Sequence, residues 1–276
     1  MDPREYRIGI VGARGYVGSA MTKFFQRRFE QILTSDLDCK VHPHLLAGCN
    51  LVCVCVPTQQ RKDGRCDTAI VEQVVNEIVD AVPDGSEAPS FLIKSTVPPG
   101  YCYQLAERLR VPIVFSPEYI GESKYHSEFG FETDVAATPW FIFGAAPHSR
   151  RAAEEIADVF AYIAGPSKQY MLTDSTTAEV VKYWENVYFA TKVTFANEMR
   201  KVCESHGVSF HEARELWALD PRVEPMHTMA FKHAPGFGGK CFPKDLSALI
   251  AATQDAGYTP KFLQAVQSAN ERFRNE

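Results

Sequence analysis

Residues Arg7-Ile8-Gly9-Ile10-Val11 form a short apolar run that enters Gly12-Ala13-Arg14-Gly15-Tyr16-Val17-Gly18, and residues 19–27 beyond it have helical character. A strand, a glycine turn and a helix in that order open a βαβ unit. Glycines there let the backbone turn sharply and approach a pyrophosphate, whose charge is met by the amides of the helix N-terminus. The spacing has one residue more than G-x-G-x-x-G between its first two glycines, so the context carries the reading rather than the pattern. A second strand over 31–35 ends at Asp36, where a carboxylate accepts hydrogen bonds from ribose hydroxyls. Gly12, Arg14, Gly15, Tyr16, Val17, Gly18 and Asp36 are therefore candidate dinucleotide contacts, and Asp36 predicts NAD rather than NADP. Arg14 leaves an alternative open, because an arginine in this loop could meet a 2′-phosphate.

Short apolar runs continue at 51–56, 90–94, 111–115, 140–143 and 169–172, with amphipathic segments such as 68–82 between them. That alternation predicts a parallel sheet with ligands outside the carboxyl ends of its strands. Thr176 and Glu179 fit a capping box, and helical character then runs without glycine or proline to about His206, stopped by Gly207. Further helices fit 209–219, 246–255 and 260–273. The predicted architecture is α/β: a Rossmann-like doubly wound dinucleotide-binding domain over 1–174, then a long connecting helix and a small all-helical domain over 175–276. A net charge of -5 with no basic block argues against nucleic acid and anionic membranes. No apolar run of membrane-spanning length is present, and the start Met1-Asp2-Pro3-Arg4-Glu5 is not a signal peptide, which predicts a cytoplasmic protein. Eight cysteines then read as free thiols. Cys53 and Cys55 lie inside the apolar run 51–56, so they read as core residues rather than as part of a metal site with Cys49 and Cys66.

Gly236-Phe237-Gly238-Gly239-Lys240-Cys241-Phe242-Pro243-Lys244-Asp245 places one cysteine in a glycine-rich turn beside two lysines and a carboxylate. Pro243-Lys244-Asp245 reads as the first turn of a helix, with Cys241 just before its N-terminus. Nearby positive charge and a helix N-terminus both favour a nucleophilic thiolate. A structural cysteine in a tight turn is the alternative.

Six stretches in order resemble the UDP-glucose/GDP-mannose dehydrogenase family: Gly15-Tyr16-Val17-Gly18, Val56-Pro57-Thr58, Lys94-Ser95-Thr96-Val97-Pro98-Pro99-Gly100, Ser116-Pro117-Glu118-Tyr119, Ala178-Glu179 through Asn186, and Gly236 through Asp245. The resemblance implies oxidation of a primary alcohol on a nucleotide sugar to a carboxylate, with two NAD reduced and a covalent cysteine intermediate. It makes Cys241 the nucleophile that forms a thiohemiacetal and then a thioester. Asp245 and Lys182 would move protons through an ordered water, and Lys182 and Asn186, four apart on one helix, would stabilise the developing oxyanion. Glu118 would activate the hydrolytic water, with Thr96 holding a water or cofactor nearby. Pro57, Thr58 and Glu122 would line the cofactor, and Arg222, Gly238 and Lys244 the substrate.

Two departures bear on the substrate. The stretch between Asp38 and Leu51 is shorter than in relatives, and the sequence stops at Asn275-Glu276, where a typical member continues into a third, nucleotide-sugar-binding domain. Three readings stand: a four-electron dehydrogenase acting on a nucleotide sugar or a smaller phosphorylated or acidic alcohol, a two-electron hydroxyacid-type dehydrogenase, and a non-catalytic dinucleotide-binding subunit needing a partner chain. Val180, Val181, Trp184, Val187, Tyr188, Thr191, Phe195 and Met199 give the long helix more apolar surface than one small domain covers, which predicts a homodimer.

Overall fold

The computed structural model describes residues 2–120 and 134–276, in two compact units. The first comprises Met1–Gln59 and Asp67–Lys182, the second Gln60–Cys66 and Tyr183–Glu276. The predicted boundary at residue 174 precedes the long helix, whereas the compact units divide within it.

The first unit is built on seven strands: β1 (Ile8–Val11), β2 (Ile32–Ser35), β3 (Leu51–Val54), β4 (Ser90–Ile93), β5 (Ile113–Phe115), β6 (Trp140–Ala145) and β7 (Gln169–Thr173), in the order β2-β1-β3-β4-β5-β6-β7. Helices α1 (Tyr16–Gln26), α2 (Pro43–Ala47), α3 (Ala69–Asp80), α4 (Tyr101–Leu109) and α5 (Arg150–Ala164) connect them. The chain runs from β1 out to β2 and returns past β1 to β3. Such a reversal of strand order opens a crevice at the carboxyl ends of the two strands between which it falls. The short stretch after Asp38 holds only the single turn and a half of α2.

Alternate residues feed the two faces. Ile8, Ile10, Leu51, Cys53, Cys55, Leu92 and Val114 join Phe24, Phe25, Phe143 and Phe160 in one core cluster, while Val52, Val54, Phe91, Ile93 and Phe115 join Val71, Val75 and Leu105 in another. Cys53 is fully buried at β3, as expected of a core residue. One prediction needs correction: the sheet is not wholly parallel. β6 pairs with β5 antiparallel, and β7 follows β6 in parallel, so the last two strands run against the other five. Apolar runs report which residues are buried, not the direction of the strand that carries them.

Helix α6 (Ser175–Ser205) spans 31 residues, about 46 Å at 1.5 Å per residue, and ends where Gly207 takes φ +68°. Its start also differs from expectation. Asp174, not Thr176, caps it, accepting from Thr177 N at 2.8 Å. Glu179 caps a different helix: its two carboxylate oxygens accept from Gly100 N (2.5 Å) and Cys102 N (2.8 Å) at the head of α4. The second unit contains the rest of α6 with α7 (Phe210–Trp217), α8 (Phe242–Asp255) and α9 (Lys261–Arg274). Val187, Ala190, Phe237, Leu246, Ile250 and Val266 form its core. No helix among the described residues is long and apolar enough to cross a membrane.

Burial pushes the Glu179 carboxyl up to about 7, against the opposing pull of the two amides. A raised carboxyl makes the folded state hold its proton more tightly than the unfolded chain. The stability it contributes is complete below about pH 4.5 and is lost as pH rises through about 7. Urea midpoints should fall over that window by the equivalent of about 3 kcal/mol from this group, and Glu179→Gln should flatten the slope; an unchanged slope in the variant would assign it to other groups.

Candidate active site

In the first unit the glycine turn is shaped for close approach. Gly12 holds φ +79°, and a Cβ there would stand 2.6 Å from the carbonyl oxygen of Cys55. At Gly18 a Cβ would fall 1.9 Å from the Gly12 oxygen, so α1 can begin only with glycine at that position. Gly15 is the N-cap of α1 and makes no side-chain cap, which leaves the first helical amides to the turn. Tyr16 is half exposed, while Val17 packs against the core. This cradle, at the end of β1, fits a pyrophosphate.

Asp36 is bound to the same loop. Its Oδ2 accepts from Arg14 N and its Oδ1 from Leu37 N, each at 2.8 Å. The Arg14 guanidinium is paired with Asp38. Both side chains are about three-fifths exposed, so this is a weak surface pair. Pro57 is exposed beyond β3, and Thr58 is buried, donating from Oγ1 to Thr96 O at 2.8 Å. Ser95 Oγ donates to Val56 O at 2.7 Å, which joins the ends of β3 and β4.

Lys182 is 5% exposed, so it is not the surface lysine that an isolated lysine on a helix would be by default. Its Nζ donates to Glu118 O at 2.6 Å and lies 3.3 Å from Glu118 Oε1 and 5.7 Å from the Tyr119 ring centre. A buried ammonium needs such a counter-charge. Glu118 Oε2 accepts from Ile120 N at 3.0 Å. Glu122 lies outside the described residues.

In the second unit Cys241 is exposed and stands as the N-cap of α8. One turn later Asp245 is 1% exposed; its Oδ2 accepts from Asn186 Nδ2 at 2.5 Å, and Lys244 Nζ lies 2.7 Å from Oδ1. The Gly236 turn is held from outside the motif. Asn197 Oδ1 accepts from Gly236 N (3.0 Å), while Asn270 accepts from Phe237 N (2.7 Å) and donates to Phe237 O (3.1 Å). Gly238 is exposed, with the Arg274 guanidinium carbon 3.5 Å from the position of a Cβ there. Arg222 is exposed and paired with Asp220 at 2.6 Å rather than with the Cys241 turn.

The predicted residues thus gather in two groups: Lys182 with Glu118, and Asn186 with Asp245, Lys244 and the Cys241 cap. Lys182 and Asn186, predicted to share one oxyanion, hold different partners here. Asn197, Asn270 and Lys94 were not anticipated as site residues. A lysine directly after the apolar run Phe91-Leu92-Ile93, where strand ends face ligand, was the available signal for Lys94.

Residues 29–142 match the NAD binding domain and residues 176–272 the central domain of the UDP-glucose/GDP-mannose dehydrogenase family. The chain belongs to this family. The NAD-domain match begins after the glycine turn, so that turn rests on its geometry. A putative UDP-glucose 6-dehydrogenase, YtcA, of Bacillus subtilis is 29% identical over 81% of this chain and 50% of its own length. The chain spans about half the length of the curated relatives it matches. The fold is shared with a UDP-glucose dehydrogenase from Pyrobaculum islandicum (TM-score 0.83, 23% identity, 97% of this chain and 68% of that one). It is also shared with a Mycobacterium tuberculosis 3-hydroxyisobutyrate dehydrogenase (TM-score 0.68, 17% identity, 98% and 94%).

The NAD domain and the Asp36 carboxylate together generate a cofactor prediction. A 2′-phosphate beside Asp36 meets a like charge, worth on the order of a few kcal/mol. Calorimetry should show NAD binding well ahead of NADP, and Asp36→Ala should narrow that gap. NAD affinity should also drop in the variant, because the Arg14 amide loses its acceptor. Equal affinities in the unaltered protein would assign the ribose contact elsewhere.

Proposed function

We propose that the chain carries the NAD-dependent, four-electron oxidation of a primary alcohol to a carboxylate, on a nucleotide sugar such as UDP-glucose or on a smaller phosphorylated or acidic alcohol. The observation that carries this reading is the buried Asn186–Asp245 hydrogen bond one helical turn from the exposed Cys241 cap. A cysteine of purely structural use has no need of an ion-paired, buried carboxylate in the next turn.

Gly12, Gly15 and Gly18 would hold the NAD pyrophosphate and Asp36 its ribose; bound there, NAD would supply the hydride acceptor. The roles proposed from the family resemblance are donation to the alcohol oxygen by Lys182 and Asn186 as it becomes a carbonyl, and transfer of the hydroxyl proton to water, with Lys182 in the first unit and Asp245 in the second each a proton-transfer group. Cys241 Sγ adds to the aldehyde carbon, forming a C–S bond and a thiohemiacetal. Loss of a second hydride from that carbon, with a second NAD as the acceptor, and of the proton from its hydroxyl would give a thioester. Glu118 takes a proton from water as the water oxygen bonds the acyl carbon; the C–S bond breaks and the thiolate departs, leaving a carboxylate. In the first unit Thr58 and Thr96, beyond β3 and β4, are proposed as cofactor contacts, and in the second unit Gly238, Lys244 and Arg222 as substrate contacts.

A second reading has a specific support. The fold shared with a 3-hydroxyisobutyrate dehydrogenase suits a two-electron hydroxyacid-type reaction in which Cys241 takes no part. Counting NADH per substrate consumed separates them, two with an acid product against one with a carbonyl product. In the four-electron case Cys241→Ala should abolish acid formation, and Glu118→Gln should give a burst of NADH followed by a slow steady state. Full turnover to acid in Cys241→Ala would rule out the covalent route. Tight NAD binding with silence toward every alcohol would favour a binding subunit.

The proposal includes a homodimer through the second unit. Trp184 (68% exposed), Tyr188 (51%), Phe195 (50%) and Met199 (37%) line one side of α6, and the Trp217 ring of α7 lies tilted beside Phe195, their centres 6.2 Å apart. Val187, by contrast, is buried within the unit. Covering four such side chains stabilises association by several kcal/mol before the entropy of association is counted. Light scattering at micromolar concentration should give twice the chain mass, and Trp184→Glu should shift it toward the monomer.

A further inference from the structure

Lys94 ends the run Phe91-Leu92-Ile93-Lys94, takes no part in the chemistry above, and is 5% exposed. Its Nζ donates to Ser116 Oγ at 3.2 Å and to Pro117 O at 2.9 Å. The next carbonyl along, that of Glu118, takes the Lys182 ammonium at 2.6 Å. Two consecutive carbonyls are thus each bound to a lysine, and the residue that follows the first of them carries the carboxylate assigned to water activation.

The sheet itself does not require this contact. β4 and β5 are already paired through Phe91↔Ile113, Leu92↔Val114 and Ile93↔Phe115, and Ser116 N adds one more bond to Ile93 O at 3.1 Å. Lys94 acts beyond the last rung, on the loop alone. Its burial works against its charge and lowers its pKa, an effect opposed by the nearby Glu118 carboxylate. A side chain that only filled space here would avoid that penalty by being apolar.

We propose that Lys94 is a positioning residue: its ammonium fixes the Ser116–Pro117 backbone and so sets where the Glu118 carboxylate stands for hydrolysis. This rests on the role given to Glu118 under Proposed function. Thr96 and Ser95 fit the same picture. Ser95 ties the end of β3 through Val56 O, and Thr96 O receives Thr58 Oγ1, so three successive residues hold the ends of three adjacent strands.

The test is Lys94→Met, which keeps the length and burial and removes the donor, compared with Lys94→Arg, which keeps a cationic donor. The first readout is independent of activity: exchange of the Ile120 amide, which donates to Glu118 Oε2. In Lys94→Met it should speed by on the order of tenfold, the effect of losing one charge-assisted hydrogen bond, while the β4 amides keep their protection. In Lys94→Arg it should stay within about threefold. The second readout is kinetic. In Lys94→Met NAD affinity should be retained and an NADH burst should precede a slower steady state, and Lys94→Met with Glu118→Gln should be no slower than Glu118→Gln alone. Unchanged Ile120 exchange in Lys94→Met, or equal loss of protection through β4, overturns the inference. If the methionine variant does not bind NAD, the arginine variant decides: kept Ile120 protection supports it and lost protection overturns it. A wild-type protein that forms one NADH per substrate with a carbonyl product counts against the four-electron reading alone, since the exchange result still stands.

Discussion

The contact between the first and last glycines of the turn after β1 governs much of the first unit. With no side chain at residue 18, α1 starts directly over the carbonyl of Gly12, and Met21, Phe24 and Phe25 reach the same core cluster as Phe143 and Phe160. A methyl group there would overlap backbone rather than a movable side chain, so α1 would have to lift and those rings would separate. Truncating one such buried phenylalanine alone costs about 3 to 5 kcal/mol. The requirement for a close-fitting phosphate cradle and the requirement for a packed sheet face are thus met by one residue.

A second constraint is the polar content of α6. Glu179, Lys182, Asn186, Asn197 and Arg200 are all buried on a helix that also carries an exposed aromatic stripe. Four of these face named partners: the α4 amides, Glu118, Asp245 and the Gly236 amide. Burying so many polar groups is tolerable only when each is matched. The helix is therefore specified less by its apolar periodicity than by the order in which its polar side chains meet their acceptors and donors.

That explains what could be read from sequence. The doubly wound core was legible because alternate residues of β1, β3 and β4 are apolar on both faces, and the Cys241 cap was legible because Pro243-Lys244-Asp245 can only open a helix. The start of α6 was misread. Thr176 and Glu179 have the right spacing for a capping box, yet Glu179 serves α4, which lies far away in sequence, and Asp174 takes the cap. Spacing reports which groups could meet locally and is silent about a stronger distant partner. The antiparallel turn of β6 and β7 was hidden for a similar reason, since burial patterns are the same in either direction. Asn270, which holds the turn before Cys241, lies thirty-three positions from Phe237 and carries no local signature.

The distribution of the cysteines has its own consequence. Of eight, six are buried, Cys39 is half-buried, and Cys241 is exposed. Burial raises the thiols of Cys49 and Cys102, and a hydrogen bond with Cys53 together with burial raises that of Cys55, which keeps all three protonated. The folded chain therefore offers soft electrophiles essentially one address. Thiol chemistry can mark that address without engineering any other position, and the same accessibility makes it the place where oxidants would first damage the protein.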